Sequence, residues 1–193
     1  MKKLFLFVSA TLFSFLMVSA QSSYKVTSGK NIVKGTSSLH DWRMIGEKQS
    51  GTATINTDGT LSITNLNLRL NAKSLKSIKE NGSYYDASMD KNAYKALNAD
   101  KFPEIVYTLT NVSNVKTTGN TTTLNATGNL TVAGKTNKVS FPIKAVVSGN
   151  NITFTGSTKF KLTSFGIKPP TALLGTIKTG DDVTIVINTT YTK

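Results

Sequence analysis

His40 is the only histidine in this chain, and Asp41 follows it directly, so a base and a carboxylate stand side by side at one point. A hydrolytic triad would need a serine activated by that imidazole, and no strand–turn–helix elbow presents one. Cysteine is absent, which removes thiol catalysis. With a single histidine it also removes any cluster of His and Cys metal ligands. Of the acids, Asp86 and Asp90 lie mid-chain and Asp181-Asp182 precedes the last apolar run. None has the spacing of a calcium loop, and they read as solvated turn acids. No catalytic group and no metal is therefore expected. His40 reads as a hydrogen-bonded structural residue or as one that touches a ligand.

What the sequence offers instead is alternating apolar surface. In Gly128–Ile143, Leu130 and Val132 alternate with Asn129 and Thr131, and Val139, Phe141 and Ile143 alternate with Lys138, Ser140 and Pro142. A period of two gives each strand one apolar and one wet face, which marks a hairpin in a one-sided antiparallel sheet. Its turn falls at Ala133-Gly134-Lys135. Threonine, asparagine and alternating aliphatics continue through Thr52–Asn56, Leu61–Leu70, Ile105–Val112, Thr121–Val132, Lys138–Ser148, Asn151–Leu162 and Asp182–Tyr191. Gly119-Asn120 and Gly149-Asn150 suit further tight turns. Within Leu61–Leu70 the apolar parity slips, and a bulge near Asn65 would restore one face. The pattern predicts an all-β domain of seven or eight antiparallel strands, closed as a barrel or stacked as a sandwich.

Between Leu70 and Phe102 the sequence turns helix-friendly. Ser88 or Asp90 would cap a short helix ending near Leu97, with Met89, Ala93, Tyr94 and Leu97 on one face, and Pro103 stops its continuation. Such an insertion would either cap a barrel mouth or pack on the outside.

Residues 1–20 read as a secretory signal peptide: Lys2 and Lys3, the apolar run Leu4–Val18, then small residues ending at Ala20. Residues 21–193 would form one domain, periplasmic or secreted, built without disulfides. The formal charge is +13, and loss of Lys2 and Lys3 leaves +11. Lysines dominate and are scattered singly, which suits solvated strand faces that discourage edge pairing. This leaves transient contact with an anionic membrane surface open and argues against nucleic acid. A homodimer is also left open.

The candidate contact residues for a ligand are apolar and aromatic. Leu130, Phe141, Ile143, Phe154 and Phe160 face inward on the strands, and Trp42, Tyr84, Tyr85, Phe102, Tyr107 and Phe165 lie near strand ends. Met89 joins them from the helical insertion, and His40 from the turn before Trp42. An eight-stranded barrel is just wide enough to hold one small ligand as well as side chains. The competing reading is an exported β-sandwich with a solid core, used for adhesion or carbohydrate binding.

Several short elements occur in a telling order. His40 comes before Gly51 opening a strand, and Ser74-Leu75 follows a β run. Then come Phe102-Pro103-Glu104-Ile105, Gly128-x-Leu130-Thr131-Val132-x-Gly134-x-Thr136 and Phe165-Gly166-Ile167. In this the chain resembles the YceI-like family of exported polyisoprenoid-binding proteins over the whole segment after residue 20. The resemblance implies a lipocalin-like antiparallel barrel that holds a polyisoprenoid or quinone-like lipid along its axis, without enzyme activity or a resident cofactor. It implies that Tyr84, Tyr85 or His40 orients a head group at the mouth. Leu162-Thr163-Ser164 stands where the family usually carries Arg and Asp before Phe-Gly-Ile, so no polar ligand contact transfers there.

Overall fold

The alternating segments pair as strands around a closed ring in the computed structural model, which describes residues 21–193; the expected leader, residues 1–20, lies outside the described residues. The strands are β1 (Ser22–Gly29), β2 (Asn31–Ser37), β3 (Trp42–Gly46), β4 (Gln49–Ser50), β5 (Thr52–Asn56), β6 (Ser62–Asn71) and β7 (Leu75–Ile78). After the helix α1 (Ala87–Ala96) come β8 (Glu104–Thr118), β9 (Thr121–Val132), β10 (Lys135–Ser148), β11 (Asn151–Lys161), β12 (Thr171–Ala172) and β13 (Ile177–Thr192). Eight of them close in the order β1-β5-β6-β8-β9-β10-β11-β13, and β13 returns to β1 through pairs such as Val26 with Tyr191. All pairings in the ring are antiparallel. A lipocalin-like barrel with a short helical insertion is the fold, and the sandwich is excluded because the sheet has no second layer to stack on.

Details of the sequence reading recur in the registers. Val132 pairs with Lys135, so Ala133 and Gly134 form a two-residue turn with φ of 49° and 78°. Both angles are positive, the turn whose twist matches that of paired strands. On β6, Asn65 faces Thr54 and Ile63 faces Ile55, which leaves Thr64 as the extra residue of a bulge. That slip puts Leu61 and Ile63 on the same inner face as Leu66, Leu68 and Leu70.

The feature that shapes the rest is a fork along β13. Thr189–Thr192 pair with β1, whereas Thr179–Val186 pair with β2. β1 and β2 are nearly one strand, parted at Lys30, but β1 leads on to β5 and β2 leads on to β3 and then β7. The buried side chain of Asn31 fills the crotch. Its amide donates to Gln49 Oε1 at 2.6 Å and Thr189 Oγ1 at 3.0 Å, and its carbonyl accepts from the Asn188 N–H at 2.9 Å. Gln49 in turn donates to the Gly46 carbonyl at 3.0 Å. The Asn31 side chain thereby supplies partners to Gln49, Asn188 and Thr189 where the ladder has to divide.

At the far end of the fork β7 ends the path of paired strands, and α1 packs beside it. Met89, Ala93, Tyr94 and Leu97 of the helical segment pack with Met44, Leu70, Leu75 and Ile105. Asn31→Ala should lower unfolding stability by about 2 kcal/mol, since three partners lose a buried bond together. The check is the urea midpoint, which should fall without a change in slope.

Candidate ligand-binding cavity

The mouth of the barrel is built by α1, the β2–β3 turn and the segment from Leu162 to Thr179. Sequence dictates how α1 is held. Its N-cap is Asp86, two residues ahead of the earliest expected cap, and its carboxylate accepts from the N–H groups of Ser88 at 2.8 Å and Met89 at 2.9 Å. Asp90, expected to be a solvated acid, is buried. Its Oδ1 accepts from the Ser77 N–H at 2.6 Å, and its Oδ2 accepts from the Tyr84 hydroxyl at 3.1 Å, with Lys76 Nζ at 3.5 Å. A carboxylate placed inside the first turn can do this because it serves β7 and the helix together. Asp181 is also engaged, accepting from the Thr163 N–H at 2.9 Å and hydroxyl at 2.7 Å. It thus pins the turn that carries Phe165-Gly166-Ile167.

Beneath these elements lies an outer chamber of about 470 Å³. Its wall runs from Trp42, Met44 and Leu75 over Met89, Ala93 and Leu97 of the helical segment to Val132, Phe160, Leu162 and Ile167. Polar side chains, among them His40, Asp86 and Ser88, belong to the mouth-forming turn and the helix start. An inner chamber of about 130 Å³ continues into the barrel, lined by Leu66, Tyr107, Leu130, Phe141, Ile143 and Phe154 among others. Val33, Ile105 and Ile185 line both chambers, so the two adjoin at these side chains.

Two glycines of the Gly128–Gly134 segment explain themselves here. A Cβ at Gly128 would lie 2.6 Å from the Tyr107 ring and 2.5 Å from the Thr108 carbonyl oxygen, so only glycine leaves room for that ring inside the barrel. At Gly134 a Cβ would meet the Phe102 ring at 2.4 Å, and φ is positive as well.

The inner chamber carries no charge. Burial pushes the Tyr107 phenol up to about 12, and its hydroxyl has no hydrogen-bond partner among the described residues. Burial likewise raises Tyr191, with the Tyr107 phenol adding to it, and the Tyr191 hydroxyl donates to the Asn67 carbonyl at 2.7 Å. Both phenols stay neutral throughout the physiological range. At the mouth, His40 Nδ1 lies 2.6 Å from the Asp41 carbonyl oxygen, which can only accept, so Nδ1 carries the proton. Nε2 is then the acceptor for the Tyr85 hydroxyl at 3.2 Å. Trp42 donates to the Thr36 carbonyl at 2.9 Å.

With this geometry in place, comparison with known proteins is direct. The family model for the YceI-like domain matches residues 19–191. The chain belongs to the YceI-like family. Among solved structures, Burkholderia cenocepacia BcnA has 16% identity and a TM-score of 0.64, with 84% of this chain and 95% of that one covered. The Campylobacter jejuni YCEI protein has 17% identity and a TM-score of 0.58, with 78% and 84% covered. At such identities the likeness is one of fold. No curated protein matches the sequence. A YceI-like barrel with an apolar interior supports the binding of a lipid or other hydrophobic ligand.

Ten of the thirteen residues expected at the site line this YceI-like cavity. His40, Trp42, Tyr85, Met89 and Phe160 line the outer chamber, and Tyr107, Leu130, Phe141, Ile143 and Phe154 the inner one. Tyr84, Phe102 and Phe165 do not. Tyr84 is turned out to serve Asp90, Phe102 covers the Gly134 turn, and Phe165 is buried edge-on against Phe160 with centroids 4.8 Å apart. Val33, Met44, Leu75, Ile105 and Ile167 were not foreseen as lining. The parity of Trp42, Met44 and Gly46 was the one available signal for β3.

Two outcomes follow from the site. Tyr107→Phe should leave stability equal or raise it by up to about 1 kcal/mol, because the lost hydroxyl has no protein partner. Thermal melting with the cavity in a defined ligand state tests this. For Asp86, hydrogen bonding from the Ser88 side chain, then from the Met89 N–H, holds the folded carboxyl below its ordinary value. Its contribution is therefore complete above the unfolded carboxylate pKa and is lost as pH falls through the depressed folded value. The urea midpoints of the protein and of Asp86→Asn should differ less at pH 2 to 3 than at pH 7; a gap independent of pH would refute the assignment.

Proposed function

We propose that this protein is exported and holds a polyisoprenoid, or a similar long-chain amphiphile such as a quinone-like lipid, to store or carry it. The observation that carries the reading is that two apolar chambers adjoin at Val33, Ile105 and Ile185, the place we read as a neck. A long apolar chain passing inward would leave Asp86 and the head group beside His40 and Tyr85 at the mouth and meet no charged side chain in the inner chamber. The outer chamber alone falls within the size range of small-molecule sites, roughly 300–1,000 Å³. Each methylene buried is worth about 0.8 kcal/mol, so a chain of ten to twenty carbons is enough to offset an association cost of roughly 4–15 kcal/mol. No bond has to be made or broken, and no described group of three or more His, Cys, Asp or Glu side chains could hold a metal ion. A carbohydrate would need hydroxyl partners along its length, whereas the polar groups here sit at the mouth and around the Asn31 clasp.

Organic extraction of the purified protein followed by mass spectrometry should yield about one isoprenoid or long-chain lipid per chain. An empty protein that gains no thermal stability from added isoprenoids would overturn the reading. Val33→Trp, at the neck, should weaken uptake of long chains by tenfold or more while sparing amphiphiles short enough for the outer chamber. Equal loss for both lengths would mean that the neck does not separate two usable chambers.

A further inference from the structure

The rim of the mouth carries apolar side chains that the fold leaves uncovered. Leu39, Leu173 and Leu174 are 64%, 72% and 108% exposed. They come together because the two segments are stitched. The Ser38 N–H donates to the Lys178 carbonyl at 2.9 Å, and the Lys178 N–H donates to Ser38 Oγ at 3.0 Å. Leu39 and Leu173 both line the outer chamber, so the exposed patch is continuous with the cavity wall. Tyr85, 44% exposed, adds to the rim beside His40.

Leu173 and Leu174 have φ of 48° and 56°. Left-handed backbone is unfavourable for a branched side chain, and glycine would hold this turn better. The chain thus keeps two leucines in an awkward conformation whose result is to project them into solvent, a pairing of strain and exposure typical of a working surface. Within the segment that carries Leu173 and Leu174 the charge is of one sign, while the acids of the mouth, Asp41 and Asp86, belong to the β2–β3 turn and the helix start. From Gly166 to Gly180 the chain has Lys168 and Lys178 and no acid; both lysines are exposed, and neither forms an ion pair among the described residues.

We propose that this leucine lip, with Lys168 and Lys178 beside it, docks the mouth on an anionic lipid bilayer. The leucines enter the headgroup–acyl boundary while the lysines meet anionic headgroups. A second copy of the chain suits the patch less well, since a two-fold contact here would set the two lysines against their own kind. If the cavity holds a lipid, as proposed above, docking lets that lipid cross between bilayer and barrel without passing through water. Docking itself does not depend on that reading.

Sedimentation with phosphatidylglycerol vesicles tests the lip, with phosphatidylcholine vesicles as the neutral comparison. The purified protein should bind the anionic vesicles, less so at high salt. The double variant Leu173→Gly/Leu174→Gly should bind about tenfold or more weakly yet melt no lower, because glycine accepts the positive φ. Leu39→Ser, outside the strained turn, should weaken binding in the same direction. Three results overturn the docking: no binding by the unaltered protein, equal binding by the glycine variant, or a dimer in solution that buries the leucines. Lipid content measured by mass spectrometry keeps the two readings apart. An empty protein whose vesicle binding still depends on the leucines supports the lip and removes the cargo. A filled protein that ignores vesicles removes the lip alone.

Discussion

A strand edge can be paired only once at each residue, and the division of β13's edge between β1 and β2 decides the architecture. Where β1 holds it, the ring closes on eight strands. Where β2 takes over, the sheet is led away through β3 and ends at β7, against which the helical segment packs. The amide of Asn31 makes the division tolerable by satisfying the groups that the ladder releases. The helical segment packs only at the end where β3 and β7 carry the sheet away from the ring. Its Asp86 cap and its buried Asp90 are what allow so short a helix to serve as a wall.

The cavity follows from the same geometry. In the rest of the barrel core Tyr24, Ala53, Ile55 and Ile152 are buried in one cluster and line neither chamber. Elsewhere that core gives way to the inner chamber, which the Tyr107 ring, given room by Gly128, lines without filling. The unpaired hydroxyl there and the neutral phenols describe an interior that excludes charge while remaining open to apolar matter. The mouth reverses this character, with an imidazole, a phenol and several hydroxyls near exposed leucines.

Much of the ring was legible in the sequence because antiparallel strands with one wet face write their register as parity. The Gly128–Ile143 hairpin, the turns at Gly119 and Gly149 and the bulge next to Asn65 were all readable that way. β3 and β7 were not, since strands of five and four residues give too few alternations to stand out. Asp90, expected to be solvated, is buried, and Asp86 and Asp181 accept hydrogen bonds while staying near solvent; whether an acid is used in these ways depends on donors such as Ser77 and Thr163, brought from elsewhere in the chain. The same holds for Tyr84, Phe102 and Phe165. Periodicity identified them as apolar or aromatic near strand ends, but only tertiary contacts decide between lining a cavity and supporting its wall.

The central claim is that outer and inner chambers form one path for one apolar chain. A crystal structure of the protein carrying its co-purified lipid tests it most directly. The account predicts continuous density from the His40–Tyr85 rim, through the neck at Val33, Ile105 and Ile185, to the ring of Tyr107. A ligand confined to the outer chamber, with the inner chamber closed by repacked side chains, would contradict it.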